Sequence, residues 1–166
     1  HMECWYGIMG LGAVCHTLNP RLTEEQLAWM IGQSEARILI VSEDLLPLAS
    51  KIAGLAPSLS EVLVIDTMGP KAPQIEGLPN VQALEPLVAD ADPGAVVWGD
   101  FAETTPCGLC FTSGTTGQPK GVTYTHRGSY LHTLRQLQSD VSGLNSHDVV
   151  LPVVPMFHAN AWGLPY

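Results

Sequence analysis

Two short aliphatic runs, Ile38-Leu-Ile-Val41 and Val62-Leu-Val-Ile65, limit the possible folds more than any other feature of the chain. Each is too short for a buried helix, and each stands between segments with helical spacing. Before the first, Thr23-Glu-Glu-Gln26 has the form of a capping box, with Leu22 and Leu27 at the staple positions and Leu27, Met30 and Ile31 forming an apolar stripe. Between the two runs, Leu45, Leu48, Ala49 and Ile52 mark a second amphipathic helix that Gly54 and Pro57 end. Aliphatic runs alternating with helices are expected to be fully buried strands. They predict an α/β fold of three layers, a mostly parallel sheet flanked by helices.

From Met68 to Pro93 the chain is rich in Pro and Gly, and this predicts a surface connection with at most one short helix near Leu84–Ala89. Regular structure is expected to resume with a strand at Cys107–Thr112. A second strand at Gly121–Thr125 follows, then a helix of about fifteen residues carrying Leu131, Leu134, Leu137 and Val141. Val149-Val-Leu151 reads as a strand broken by Pro152 and Pro155. The resulting divisions are 3–67 for the β/α units, 68–104 for an acidic connection, 105–126 for a hairpin and 127–166 for a helix, a strand and a further apolar segment. His1-Met2 reads as an expression scar. Cys4–Leu11 looks like the end of an apolar helix, and Ala161–Tyr166 starts a new apolar segment, so both ends are expected to be cuts in something larger.

The hairpin connection carries the chemistry. In Thr112-Ser-Gly-Thr-Thr-Gly117, four hydroxyl residues and two glycines fill six positions, and Pro119-Lys120 follows. Small residues leave backbone N–H groups accessible, the hydroxyls add donors, and Lys120 adds a fixed cation. Together these suit a polyphosphate. A Walker loop is excluded, because Gly121 follows Lys120 where that pattern needs Ser or Thr. The dinucleotide G-x-G-x-x-G pattern is absent too.

Charge and cysteines exclude other classes. The net charge is −9, and eight carboxylates from Glu61 to Glu103 face one base, Lys71, which argues against nucleic acid or an anionic membrane as partner. No apolar run approaches the roughly 18–20 residues of a membrane span, and no signal peptide is visible. Cys107 and Cys110 form an isolated C-x-x-C. In an extended strand their sulfurs would diverge, so buried apolar thiols are expected there. The histidines lack zinc spacing. A reducing, cytoplasmic setting follows.

In order, Thr112-Ser-Gly-Thr-Thr-Gly-x-Pro-Lys-Gly-Val122 resembles the phosphate loop of the adenylate-forming (AMP-binding) superfamily. Gly12-Ala-Val-Cys-His-Thr-Leu-Asn-Pro-Arg-Leu22 is similar to an upstream turn of that family. Met156-Phe-His158 with Asn160-Ala-Trp162 resembles bacterial medium- and long-chain fatty acyl-CoA synthetases. The resemblance implies ATP and Mg²⁺ at Thr112, Ser113, Gly114, Thr115, Thr116, Gly117 and Lys120, with Thr112 contributing to the metal. It places Ala159 against the nucleotide, His158 beside the acyl-adenylate and Trp162 as the gate of a fatty-acid tunnel. The reaction it implies forms acyl-adenylate and pyrophosphate, then acyl-CoA and AMP.

The family's downstream Tyr-Gly-x-Thr-Glu and Arg-Thr-Gly-Asp motifs are missing, as is the lid lysine, so the chain is expected to be a slice of the large N-terminal domain. It is expected to carry no catalytic residue of its own, to be inactive alone and to be prone to self-association or dimerisation. An aryl-CoA ligase and a non-catalytic binding or dimerisation module are the alternatives.

Overall fold

The computed structural model describes residues 1–65, 75–78, 80–112 and 118–166. In chain order the elements are α1 (Met2–Gly10), β1 (Cys15–His16), α2 (Glu24–Ser34), β2 (Ile38–Ser42), α3 (Leu46–Leu55), β3 (Glu61–Ile65), β4 (Asn80–Ala83), α4 (Leu84–Asp90), β5 (Pro106–Thr112), β6 (Lys120–Thr125) and α5 (His126–Gln136). A four-residue turn at Ala159–Trp162 follows. The chain forms two compact units, residues 19–95 and residues 1–18 with 96–166.

In the first unit, β2, β3 and β4 form a parallel sheet in that order. Its core is Leu46, Val62, Val64 and Ala83. The Thr23 hydroxyl accepts from Gln26 N–H at 3.3 Å, and the Gln26 side chain accepts from Thr23 N–H at 3.2 Å, so the capping box forms as expected. Leu27, Met30 and Ile31 are buried.

Two expectations fail here. β2 is not fully buried, since Ile38 is 52% exposed. Among the described residues it lies at the sheet edge and pairs with β3 alone. The connection expected from 68 to 93 contains a strand, β4, which precedes the expected short helix. Asn80 and Gln82 both donate to one oxygen of Glu61 on β3, at 2.9 and 2.8 Å, so polar cross-strand pairs help dock β4. Residues 66–74 and 79 lie outside the described residues.

In the second unit, β5 is central, parallel to β1 and antiparallel to β6. The expected hairpin therefore forms. Trp5, Met9, Cys15 and Cys107 make the core, with Tyr124, Met156 and Tyr166 packed against it. The His1 carbonyl accepts from Trp5 N–H, so the first two residues join α1 rather than standing outside the fold.

α5 is shorter than expected and has the opposite face inward. Ser129 is buried, whereas Leu131, Leu134, Leu137 and Val141 are exposed. The run at Val149–Leu151 forms no ladder with any of the described residues, and Val149 is 98% exposed.

Candidate functional site

β5 and β6 carry the two ends of the Ser/Thr/Gly-rich segment from Thr112 to Lys120. Thr112 and Lys120 are register partners across the hairpin, and the Thr112 hydroxyl donates to the Lys120 carbonyl at 3.4 Å. This contact leaves the lone pairs of the Thr112 oxygen free, and Lys120 is exposed. Ser113, Gly114, Thr115, Thr116 and Gly117 lie outside the described residues.

At the root of this loop, the His16 ring on β1 packs against Phe111 with centroids 5.2 Å apart. Burial pushes the His16 imidazole down to about 4 from 6.5. Because the folded state resists charging, the stability contributed by neutral His16 is present above pH 6.5. It is lost as pH falls through 4. The loss amounts to about 2–3 kcal/mol, allowing for partial exposure of the ring. Urea unfolding of the wild type and His16→Gln should give curves of stability against pH that converge between pH 6.5 and pH 4, and parallel curves would refute the assignment.

The other end of the hairpin faces an open cavity of about 670 Å³. Thr123, Thr125, Ser129, His132, Trp162 and Tyr166 are among the residues around it. Ala159 lines it as well, while His158 starts the Ala159–Trp162 turn as an exposed residue. Trp162 is 60% exposed.

The turn itself is left-handed. Ala159, Asn160, Ala161 and Trp162 have φ of 45°, 50°, 49° and 58°, and Gly163 follows at 74°. For L-residues this conformation costs about 1–2 kcal/mol per position, less for Asn. Side-chain anchors offset that cost. Asn160 is 1% exposed, accepts from the Cys110 thiol and donates to the Tyr166 hydroxyl at 3.0 Å. Thr17 donates to the Met156 carbonyl at 3.2 Å and lies 3.7 Å from the Cys110 sulfur. His132 on α5 meets the Trp162 carbonyl at 3.0 Å.

Cys107 and Cys110 depart from the expected geometry. A bulge between Pro106 and Gly108 adds Cys107 to the strand, and the alternation of faces slips there. Both thiols therefore lie near the Tyr166 phenol, which burial pushes up to about 12 with the two thiols adding to the effect. Burial also raises both cysteines and drives Cys15 to about 11. These three are buried packing groups and not nucleophiles, as expected for Cys107 and Cys110.

Sequence reasoning assigned no role to Asn160, Tyr166, Thr17 or His132. Asn160 and Thr17 had a signal, since each lies within a segment that resembles the family.

The sequence pattern of the AMP-binding enzyme family matches residues 1–166. The chain belongs to that family. Among relatives, it is 46% identical over 170 residues to a 3-methylmercaptopropionyl-CoA ligase of Ruegeria pomeroyi, covering 100% of this chain and 30% of that protein. It is 39% identical to a medium-chain-fatty-acid–CoA ligase of Ectopseudomonas oleovorans, with coverage of 100% and 30%. It is 42% identical to a long-chain-fatty-acid–CoA ligase of Thermus thermophilus, with coverage of 100% and 28%.

The chain thus spans about 30% of the length of the curated AMP-binding enzymes it matches. A luciferase of Phrixothrix hirtus superposes with TM-score 0.75 at 24% identity, over 93% of this chain and 30% of that one, which shows the shared fold. No helix among the described residues is long and apolar enough to cross a membrane.

Proposed function

We propose that the chain supplies the pyrophosphate flap and one wall of the acyl pocket of an AMP-forming acyl-CoA ligase. The carrying observation is that one hairpin strand serves both places. β6 bears Lys120 at the loop end and Thr123–Thr125 at the cavity. Three residues of strand separate these by roughly 10 Å. A carboxylate at the cavity mouth would then lie within reach of the α-phosphate of an ATP whose β- and γ-phosphates rest on Thr112–Lys120.

On this reading Ser113, Gly114, Thr115, Thr116 and Gly117 donate to phosphate oxygens, and Lys120 neutralises charge as a point cation. Ala159 borders the nucleotide, His158 stands at the acyl-adenylate, and Trp162 bounds the acyl chain. Thr112 offers one hydroxyl oxygen to a Mg²⁺ carried in on ATP. Among the described residues no cluster of His, Cys, Asp or Glu could hold a metal, so Thr112 is the one ligand proposed from this chain. CoA would take the acyl group in the second half-reaction. The buried free thiols support a cytoplasmic setting.

For the acid we favour an unbranched aliphatic carboxylate, of the fatty-acid class. The 46% identity to a 3-methylmercaptopropionyl-CoA ligase favours a second reading, a short thioether acid. ATP–pyrophosphate exchange by the full-length ligase that carries this chain tests both, with octanoate, palmitate and 3-methylmercaptopropionate. Lys120→Met is expected to lower exchange about a hundred-fold while the preferred acid stays the same. Exchange unaffected by Lys120→Met, or absent with all aliphatic acids, would sink the proposal.

A further inference from the structure

Asn160, Tyr166, Ser129 and Tyr124 share the inner wall of the 670 Å³ cavity, and their hydrogen bonds run one way. The Asn160 side-chain amide donates to the Tyr166 hydroxyl at 3.0 Å. A phenol has one proton, so that of Tyr166 goes to its other hydrogen-bonding neighbour, the Ser129 hydroxyl on α5. Ser129 lies 3.7 Å from the Cys107 sulfur, whose own proton is donated to the Tyr124 carbonyl at 3.5 Å. The sulfur therefore accepts, and Ser129 is the donor. The order of donors is Asn160, Tyr166, Ser129 and Cys107, and the chain of bonds ends on the main chain of β6.

The groups in this row are packed too closely to turn elsewhere. Asn160 and Cys107 are each 1% exposed, and Ser129 is 9% exposed. A Cβ at Gly108 would come within 3.3 Å of Asn160 Nδ2 and 3.5 Å of the Tyr166 oxygen, so β5 backs directly on both groups. Burial pushes the phenol up to about 12, so Tyr166 keeps its proton at neutral pH. Ser129 is thus the group that decides whether that proton stays within the protein or turns into the cavity.

We infer that Ser129 is a positioning residue for the Tyr166 proton and, through it, a determinant of acyl specificity. By taking the proton it leaves the wall at Tyr166 without a donor. That stretch then admits methylene and thioether chains and disfavours an ether oxygen. The inference rests on this cavity being the acyl pocket. An ether oxygen gives up a hydrogen bond from water on entry and finds no replacement at Tyr166, whereas a thioether sulfur is a weak acceptor and loses little.

Two measurements test this. In the first, the chain carries tyrosine labelled with ¹³C at Cζ, and Tyr166→Phe assigns the Tyr166 line among the four tyrosines. Ser129→Ala should shift that line and leave those of Tyr6 and Tyr130 in place. An unmoved Tyr166 line would overturn the inference. If Ser129→Ala moves all four lines, Ser129→Cys takes its place. A thiol is a poorer acceptor, so a shift of the Tyr166 line without Tyr6 and Tyr130 is again expected, and no shift again refutes.

The second measures kcat/KM of the full-length ligase for octanoate and for octanoates with oxygen or sulfur in place of one methylene, from the fourth carbon to the seventh. In the wild type, sulfur should be tolerated throughout. Oxygen at the carbon that meets Tyr166 should cost about ten-fold. In Ser129→Ala the released proton should recover that oxygen acid about ten-fold relative to octanoate, and adding Tyr166→Phe should abolish the gain. General damage lowers isosteric acids together and leaves their ratio unmoved. A ratio unchanged in Ser129→Ala, or a gain that survives Tyr166→Phe, would overturn the inference. Trp162→Ala separates the two levels of failure. If it alters the preference among acids while Ser129→Ala does not, the pocket reading stands and the role of Ser129 falls; if neither variant does, the pocket reading falls as well.

Discussion

Trp5→Ala is expected to lower the unfolding free energy of the chain by about 3–5 kcal/mol, the largest effect of any single truncation in the unit that holds the candidate site. Trp5 on α1 is 1% exposed and packs with Met9, Cys15 and Cys107. Its ring meets Tyr166 at 5.7 Å and a tilt of 54°. The indole therefore joins the first helix, the two parallel strands and the end of the Met156–Tyr166 segment. Its Nε1–H is buried without an acceptor among the described residues, so the expected loss is one of packing and not of a hydrogen bond.

That distinction can be measured. Trp5→Phe removes the unpartnered N–H, keeps an aromatic face against Tyr166, and is expected to cost only about 1–1.5 kcal/mol. Urea unfolding followed by far-UV circular dichroism reads both variants. A cost below about 1.5 kcal/mol for Trp5→Ala would mean that α1 is not part of the working core.

The elements that were legible in the sequence are those whose signal is local. Thr23 caps α2 because its hydroxyl accepts from Gln26 N–H while the Gln26 side chain accepts from Thr23 N–H, so two N–H groups are satisfied without help from the rest of the chain. The hairpin of β5 and β6 was legible because two runs of strand composition stand on either side of a short Ser/Thr/Gly-rich stretch of sequence. β4 was hidden because Asn80 and Gln82 are docked by Glu61 on another strand, a pairing no local pattern contains.

The leucines of α5 show the opposite error. Their spacing is that of a real apolar stripe, but periodicity marks a face without saying what covers it. Here Ser129 and Thr133 take the inner side, with Ser129 3.7 Å from Cys107. Val149–Leu151 likewise has strand composition, and composition does not supply a neighbouring strand.

The candidate site divides along the same line. Lys120, Ala159 and Trp162 could be named from motif order, and the structure places Ala159 and Trp162 at one cavity. The groups that hold them in place, Asn160, Tyr166 and His132, act through contacts 50, 6 and 30 residues apart in sequence. A left-handed run of four non-glycine residues cannot be foreseen from Ala-Asn-Ala-Trp, because every one of these residues prefers the right-handed form. Tertiary anchors override that preference.

The strength of those anchors sets the second large effect. Asn160→Leu should cost about 3 kcal/mol, although leucine is more apolar and the site is closed to water. Two losses combine. The Cys110 thiol loses its acceptor and is left with the Thr17 hydroxyl at 3.7 Å, and the Tyr166 hydroxyl loses the Asn160 donor, at about 1–3 kcal/mol together. Leucine at φ of 50° adds about 1 kcal/mol that asparagine largely avoids.

Asn160→Gly separates the two, since glycine accepts the backbone conformation but loses both hydrogen bonds, and an intermediate cost is expected. A cycle combining Asn160→Gly with Cys110→Ala should then show coupling of about 1 kcal/mol, because the two side chains share one contact. Urea unfolding followed by tryptophan fluorescence suits the measurement, since Trp162 rides on the turn. A cost below about 1 kcal/mol for Asn160→Leu, or additive behaviour in the cycle, would mean that the left-handed turn is held from elsewhere. The buried network would then have no part in presenting Trp162 to the cavity.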